Sequence, residues 1–92
     1  MTLKLHAQDG LIWRRWDDEY VVYNPASGES HLLDFVSAQG LMQLEKHVAS
    51  TEQLVNDLSL ALEIPADEEL SRYVQQMVTE LSELGLARSV RS

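Results

Sequence analysis

Apolar and polar residues follow two different periods along this chain, and the change between them falls near Asp34. Before it, short runs carry β-forming residues between turn formers. "LIWRRW", Leu11 to Trp16, is aromatic and β-prone, and "DDE" after it makes a polar turn. "EYVVY", Glu19 to Tyr23, is a second strand, with Tyr20 and Val22 on one face and Val21 and Tyr23 on the other. "NPASG", Asn24 to Gly28, closes a hairpin: Pro25 fixes one φ and Gly28 supplies a positive one. "ESHLLD", Glu29 to Asp34, returns as a third strand, and Asp34 suits the N-cap of a helix starting at once. The first ten residues pattern weakly, as a short strand through Leu3 and Leu5 or as a loose tail.

After Asp34 the period becomes helical. A first helix runs from Phe35 to Lys46, with Ala38, Leu41, Met42 and Leu44 inward. Gly40 inside it costs about 1 kcal/mol against alanine, which close backbone packing can offset. A second helix starts at Ser50, where Ser50 and Gln53 form a capping box, and stops near Glu63 ahead of Pro65. A third runs from Asp67 to Leu84. Its apolar stripe is Leu70, Tyr73, Val74, Met77, Val78, Leu81 and Leu84, and Gly85 ends it. "LARSVRS" reads as a short apolar end and a basic tail. Strands first and helices second predict an α+β fold: a three-stranded antiparallel sheet followed by three helices, winged-helix-like, with helices covering one face. At 92 residues this is one domain, 1–92, with its core at about 11–87.

Composition narrows the function. Seven Lys and Arg stand against fifteen Asp and Glu, a formal charge of −8. Nucleic-acid binding draws on Lys and Arg contacts to phosphate, so this balance argues against a nucleic-acid partner. It suits a neutral or basic partner, and it also promotes solubility. There is no cysteine, hence no disulfide framework or thiolate metal site. No apolar run approaches the roughly 20 residues that span a bilayer, and "MTLKLHAQDG" is not a secretory signal. The expectation is a cytoplasmic protein with no membrane partner.

Candidate chemistry is sparse. His6, His31 and His47 are not spaced as metal ligands, so no cofactor or metal is expected. Ser30, His31 and Asp34 superficially suggest a triad, but Ser30 and His31 point to opposite faces of a strand. The adjacent acids Glu68 and Glu69 complement the dipole of the third helix. The four glycines form no phosphate loop. Trp13, Arg14, Arg15 and Trp16 could stack on bases. The structural alternative places the tryptophans over the open side of the sheet, with the arginines stacked on them or paired with Asp17 to Glu19. The last two helices could be read as a helix-turn-helix, yet the would-be recognition helix opens "DEEL", three acids where base-reading helices contact bases and phosphates. Nothing here predicts an enzyme.

The order of elements carries a resemblance. A Trp-rich strand, "DDEYVVYNPASGESHLLD", "STEQLVNDLSLAL" and a long helix closing "LSELGLA" together resemble the PqqD-like peptide chaperones, from about Leu11 to Ala87. They are most similar to small members found beside HPr-kinase-related proteins in peptide-maturation systems. The resemblance implies a RiPP recognition element: a module that binds the leader of a ribosomally made precursor peptide and presents it to a modifying enzyme. The leader would add as a strand to the third strand and lie in the groove between it and the third helix. Transferred to this sequence, the strand residues are Glu29, Ser30, His31, Leu32, Leu33 and Asp34. The helix residues are Arg72, Tyr73, Gln76, Met77 and Glu80. The acidity, and Phe35 and Gly40 where the family would have Pro, Ala or Leu, are departures; the acidity bears on which leader is bound.

The third strand would be an edge with unpaired backbone groups, and "ESHLLD" has neither the Lys nor the Pro that commonly blunts one. Such an edge beside a helix is what β-augmentation requires. Four or five net hydrogen bonds and two buried apolar side chains, set against the ordering of the peptide, give about micromolar binding. Two other readings remain: a scaffold docking on a partner enzyme through exposed Trp13 and Trp16, and a DNA-binding winged helix. Open edges also permit strand exchange into a homodimer.

Overall fold

The computed structural model describes residues 3–91. Strands β1 (Leu3–Ala7), β2 (Ile12–Trp16), β3 (Glu19–Asn24) and β4 (Glu29–Leu33) precede helices α1 (Phe35–Lys46), α2 (Thr51–Leu62) and α3 (Glu68–Glu83), and β5 (Ala87–Arg91) follows. The fold is α+β, as the pattern predicts. β2, β3 and β4 form an antiparallel sheet in that order, and β1 pairs with β5 in a second, two-stranded one.

Turn chemistry fixes the register of the first sheet. Asp17 takes a left-handed φ of 55° between β2 and β3. In the β3–β4 turn Gly28 has φ 77°, its N–H bonds the Asn24 carbonyl at 2.8 Å, and the Asn24 side chain accepts from the Ala26 N–H at 3.0 Å. The result aligns Trp13, Val22 and His31 in one row and Arg14, Val21 and Leu32 in the next. The Trp13 row faces the helices.

The helix ends follow their caps. Asp34 accepts from the Ser37 N–H at 2.8 Å, Asp67 from the Leu70 N–H at 2.9 Å, and Ser50 and Gln53 exchange both bonds of the capping box. α2 ends at Leu62, ahead of Pro65. Gly40 packs against the end of the Met77 side chain: a Cβ there would lie 2.6 Å from Cε of Met77, so alanine would require that flexible side chain to shift. The core joins Val22 and Leu33 to Ala38, Leu41, Leu44, Leu54, Leu58, Val74 and Leu81.

Two readings of the sequence need correction. Of the two alternatives for the N-terminal segment the strand is the one formed, at Leu3–Ala7, whereas Ala87–Arg91 is a strand and not a tail: β1 and β5 pair over their whole lengths, from Leu3 with Arg91 to Ala7 with Ala87. Leu5, Ala7, Leu86 and Ala87 are buried, so the core begins before Leu11. The tryptophans also part company. Trp13 faces the helices and donates its Nε1–H to Glu45 of α1 at 2.8 Å, whereas Trp16 lies on the open face and is 71% exposed. Arg15 stacks on Tyr20, 5.5 Å from the ring centroid, rather than on a tryptophan. No helix among the described residues is long and apolar enough to cross a membrane.

Candidate functional site

β4 has a partner on one side only. β3 pairs with it from Asn24–Glu29 to Tyr20–Leu33, and among the described residues no strand lies along its other edge. The sequence explains why: the tight turn at Gly28 sets β4 beside β3, and Asp34 then turns the chain into α1 before it can pair again. Side chains alternate along the edge. His31 and Leu33 point toward the helices, and Leu33 is buried; Ser30 and Leu32 point to the open face, where Leu32 is 61% exposed. Nε2 of His31 is buried without a hydrogen-bond partner. Glu29 is exposed at the start of the strand.

A cleft lies just past the end of β4, between the start of α1 and α3; none of Glu29 to Leu33 lines it. Tyr73, Gln76, Met77 and Glu80 line this cleft of about 180 Å³ with Asp34 and Ser37. They sit at i, i+3, i+4 and i+7, one face of the helix. Of the residues predicted from the sequence, these four and Asp34 come together. Met77 is only 3% exposed and serves chiefly as core. Arg72 lies outside the cleft lining and bonds Glu68 of its own helix at 3.1 Å.

Asp34 stands where strand and helix meet. Oδ1 caps α1 through Ser37, and Oδ2 accepts from the Tyr73 hydroxyl at 2.7 Å. Burial raises the pKa of this carboxyl, but the hydrogen bonds from Tyr73 and Ser37 outweigh that and hold it below the ordinary 3.8. The Tyr73 hydroxyl is pushed above 10.0, first by burial and then by its bond to the Asp34 carboxylate and the charge there.

Sequence reasoning did not find a neighbouring apolar pocket of about 330 Å³, lined by Val36, Ile64, Pro65, Leu70 and Tyr73 together with Asp67 and Glu69. The available signal was Ile64–Pro65, an apolar pair in a connection where polar residues are usual. Tyr73 lines both this pocket and the cleft. No group of three or more His, Asp or Glu residues is arranged to hold a metal among the described residues.

Among solved structures, two share this fold. One is TbiB1 in complex with the TbiA(beta) leader peptide, with a TM-score of 0.71 and 18% identity over 95% of this chain and 99% of that one. The other is lasso peptide synthetase B1 complexed with the leader peptide, with a TM-score of 0.66 and 22% identity over 91% of this chain and 96% of that one. No protein-family model and no curated protein matches the chain.

Proposed function

We propose that this chain is a non-catalytic peptide chaperone that binds the leader of a ribosomally made precursor by strand addition to β4 and presents it to a modifying enzyme. The observation that carries the reading is the unpaired edge of β4, with the cleft at α3 just past its end. An added strand would place alternate side chains toward the helices and the rest on the open face. The two structural neighbours support it, since both were solved with a leader peptide bound. The sequence resemblance supports a modifying enzyme from a system containing HPr-kinase-related proteins, and action in the cytoplasm, where precursors are made. The peptide-contacting set is Glu29 to Leu33 with Gln76, Met77 and Glu80, and with Asp34 and Tyr73 at one end.

The test is an amide-resolved NMR titration with the leader of the precursor encoded beside the chain. Shifts confined to residues 29–34 and α3, with affinity near micromolar, are the expected result. A leader that binds without moving those signals would remove the strand-addition reading.

One observation favours a second reading, a scaffold docked on a partner enzyme. Ile12, Trp16, Tyr23 and Leu32 are all exposed on the open face of the sheet, and large apolar patches mark contact surfaces. Light scattering with the enzyme and no leader separates the two, because a pure scaffold associates without peptide. Duplex DNA is a poor partner: α3 opens with Asp67, Glu68 and Glu69.

A further inference from the structure

β4 is bracketed by two hydrogen bonds that tie its side of the groove to the side of α3. Beyond Leu33, Tyr73 donates to Asp34 at 2.7 Å. At the other end Asn24, the partner of Glu29 across the hairpin, donates its Nδ2–H to the carbonyl of Gly85, just past the end of α3, at 3.4 Å. Asn24 is 3% exposed. Between these two ties no strand among the described residues pairs with the outer edge of β4.

The Tyr73–Asp34 tie engages the polar groups of both side chains. The single hydroxyl proton of Tyr73 goes to Asp34, and both oxygens of Asp34 are already acceptors, one from Tyr73 and one from Ser37. Tyr73 therefore has no donor left for a ligand, and each Asp34 oxygen, though it keeps a lone pair, is already held in place by one bond; both side chains line the cleft. Width, in contrast, is critical. An added strand must sit about 4.8 Å from β4, and its inward side chains must fit under α3. Displacements on the order of 1 Å loosen such a site.

We propose that Tyr73 and Asp34 are a positioning pair: their hydrogen bond fixes the width of the groove between β4 and α3, and they act on a bound peptide through that geometry rather than by polar contact with it. This rests on the leader-binding reading above.

The experiment is a double-mutant cycle. The wild-type chain, Tyr73→Phe, Asp34→Asn and the double variant are titrated with the fluorescein-labelled leader by anisotropy, and amide exchange is followed for residues 30–33 in the free proteins. Phe keeps the ring packing, and Asn remains a good N-cap, so if one variant fails to fold the other still reports. Each single variant should lose on the order of tenfold in affinity and exchange faster in β4, and the double variant should lose no more than either single one. Losses that multiply in the double variant would mean separate contacts with the peptide and overturn the proposal, as would single variants that bind like the wild type. A wild-type chain that does not bind leader removes the leader-binding reading itself, and the positioning role with it. That outcome differs from binding that is intact but indifferent to the pair.

Discussion

Asp34 performs two tasks, and only one is legible in the sequence. An aspartate between a strand pattern and a helix pattern announces a cap, because the signal is local. Its bond to Tyr73 spans 39 residues, and the periodicity of α3 assigns Tyr73 to the core stripe. The ring does sit at the edge of that stripe, but its hydroxyl reaches out of the core to Asp34. The pairing has a signed consequence with pH. The folded carboxyl titrates below its ordinary 3.8, so its stabilisation is complete above that value and is lost as pH falls through the lower, folded-state value. For Tyr73 the shift is upward, so its share is complete below 10.0 and is lost as pH rises above it. Urea denaturation between about pH 5 and pH 2 should show wild type losing stability faster than Asp34→Asn, which has no carboxylate to protonate. The difference will be small, because Asp34 is exposed and solvent screens the interaction. Parallel acid limbs in the two proteins would contradict the assignment.

Elements were legible in proportion to how locally they are specified. All three helices begin at caps written into the sequence, at Asp34, Ser50 and Asp67, and α2 ends short of its proline. Replacing Ser50 by alanine deletes one half of the capping box and should cost about 1 kcal/mol in equilibrium denaturation, with little effect on leader affinity, since Ser50 lies away from β4 and its cleft. An unchanged midpoint would show the box to be idle. The β1–β5 pair lies at the other extreme. The first is suggested only weakly, by Leu3 and Leu5, and the second mixes apolar with basic residues, so neither declares itself alone. Their pairing joins the two ends of the chain, and no window of sequence contains both. The groove falls between these cases. Helical spacing alone puts Tyr73, Gln76, Met77 and Glu80 on one face, where they line the cleft, whereas Arg72, one position and about 100° away, lies outside that lining and bonds Glu68.

For the molecule as a whole, two properties pull in opposite directions. An unpaired β4 edge and an open sheet face bearing Ile12, Trp16 and Leu32 invite a second copy, by edge pairing or by face contact. A formal charge of −8 on each chain opposes that approach. Salt decides the balance, because the Debye length shrinks from roughly 30 Å at 0.01 M to roughly 3 Å at 1 M. Sedimentation velocity should therefore find monomers at low ionic strength and a growing dimer fraction as salt rises, the reverse of what an ion-paired dimer would do. A saturating leader peptide offers a further discrimination. Once β4 carries an added strand its edge is no longer available, so dimers built through that edge should dissociate when leader is added at high salt. Dimers that persist with leader bound would place the contact on the open sheet face instead. In that case Trp16→Ser, which removes the most exposed aromatic side chain of that face, should dissolve them while leaving leader affinity intact.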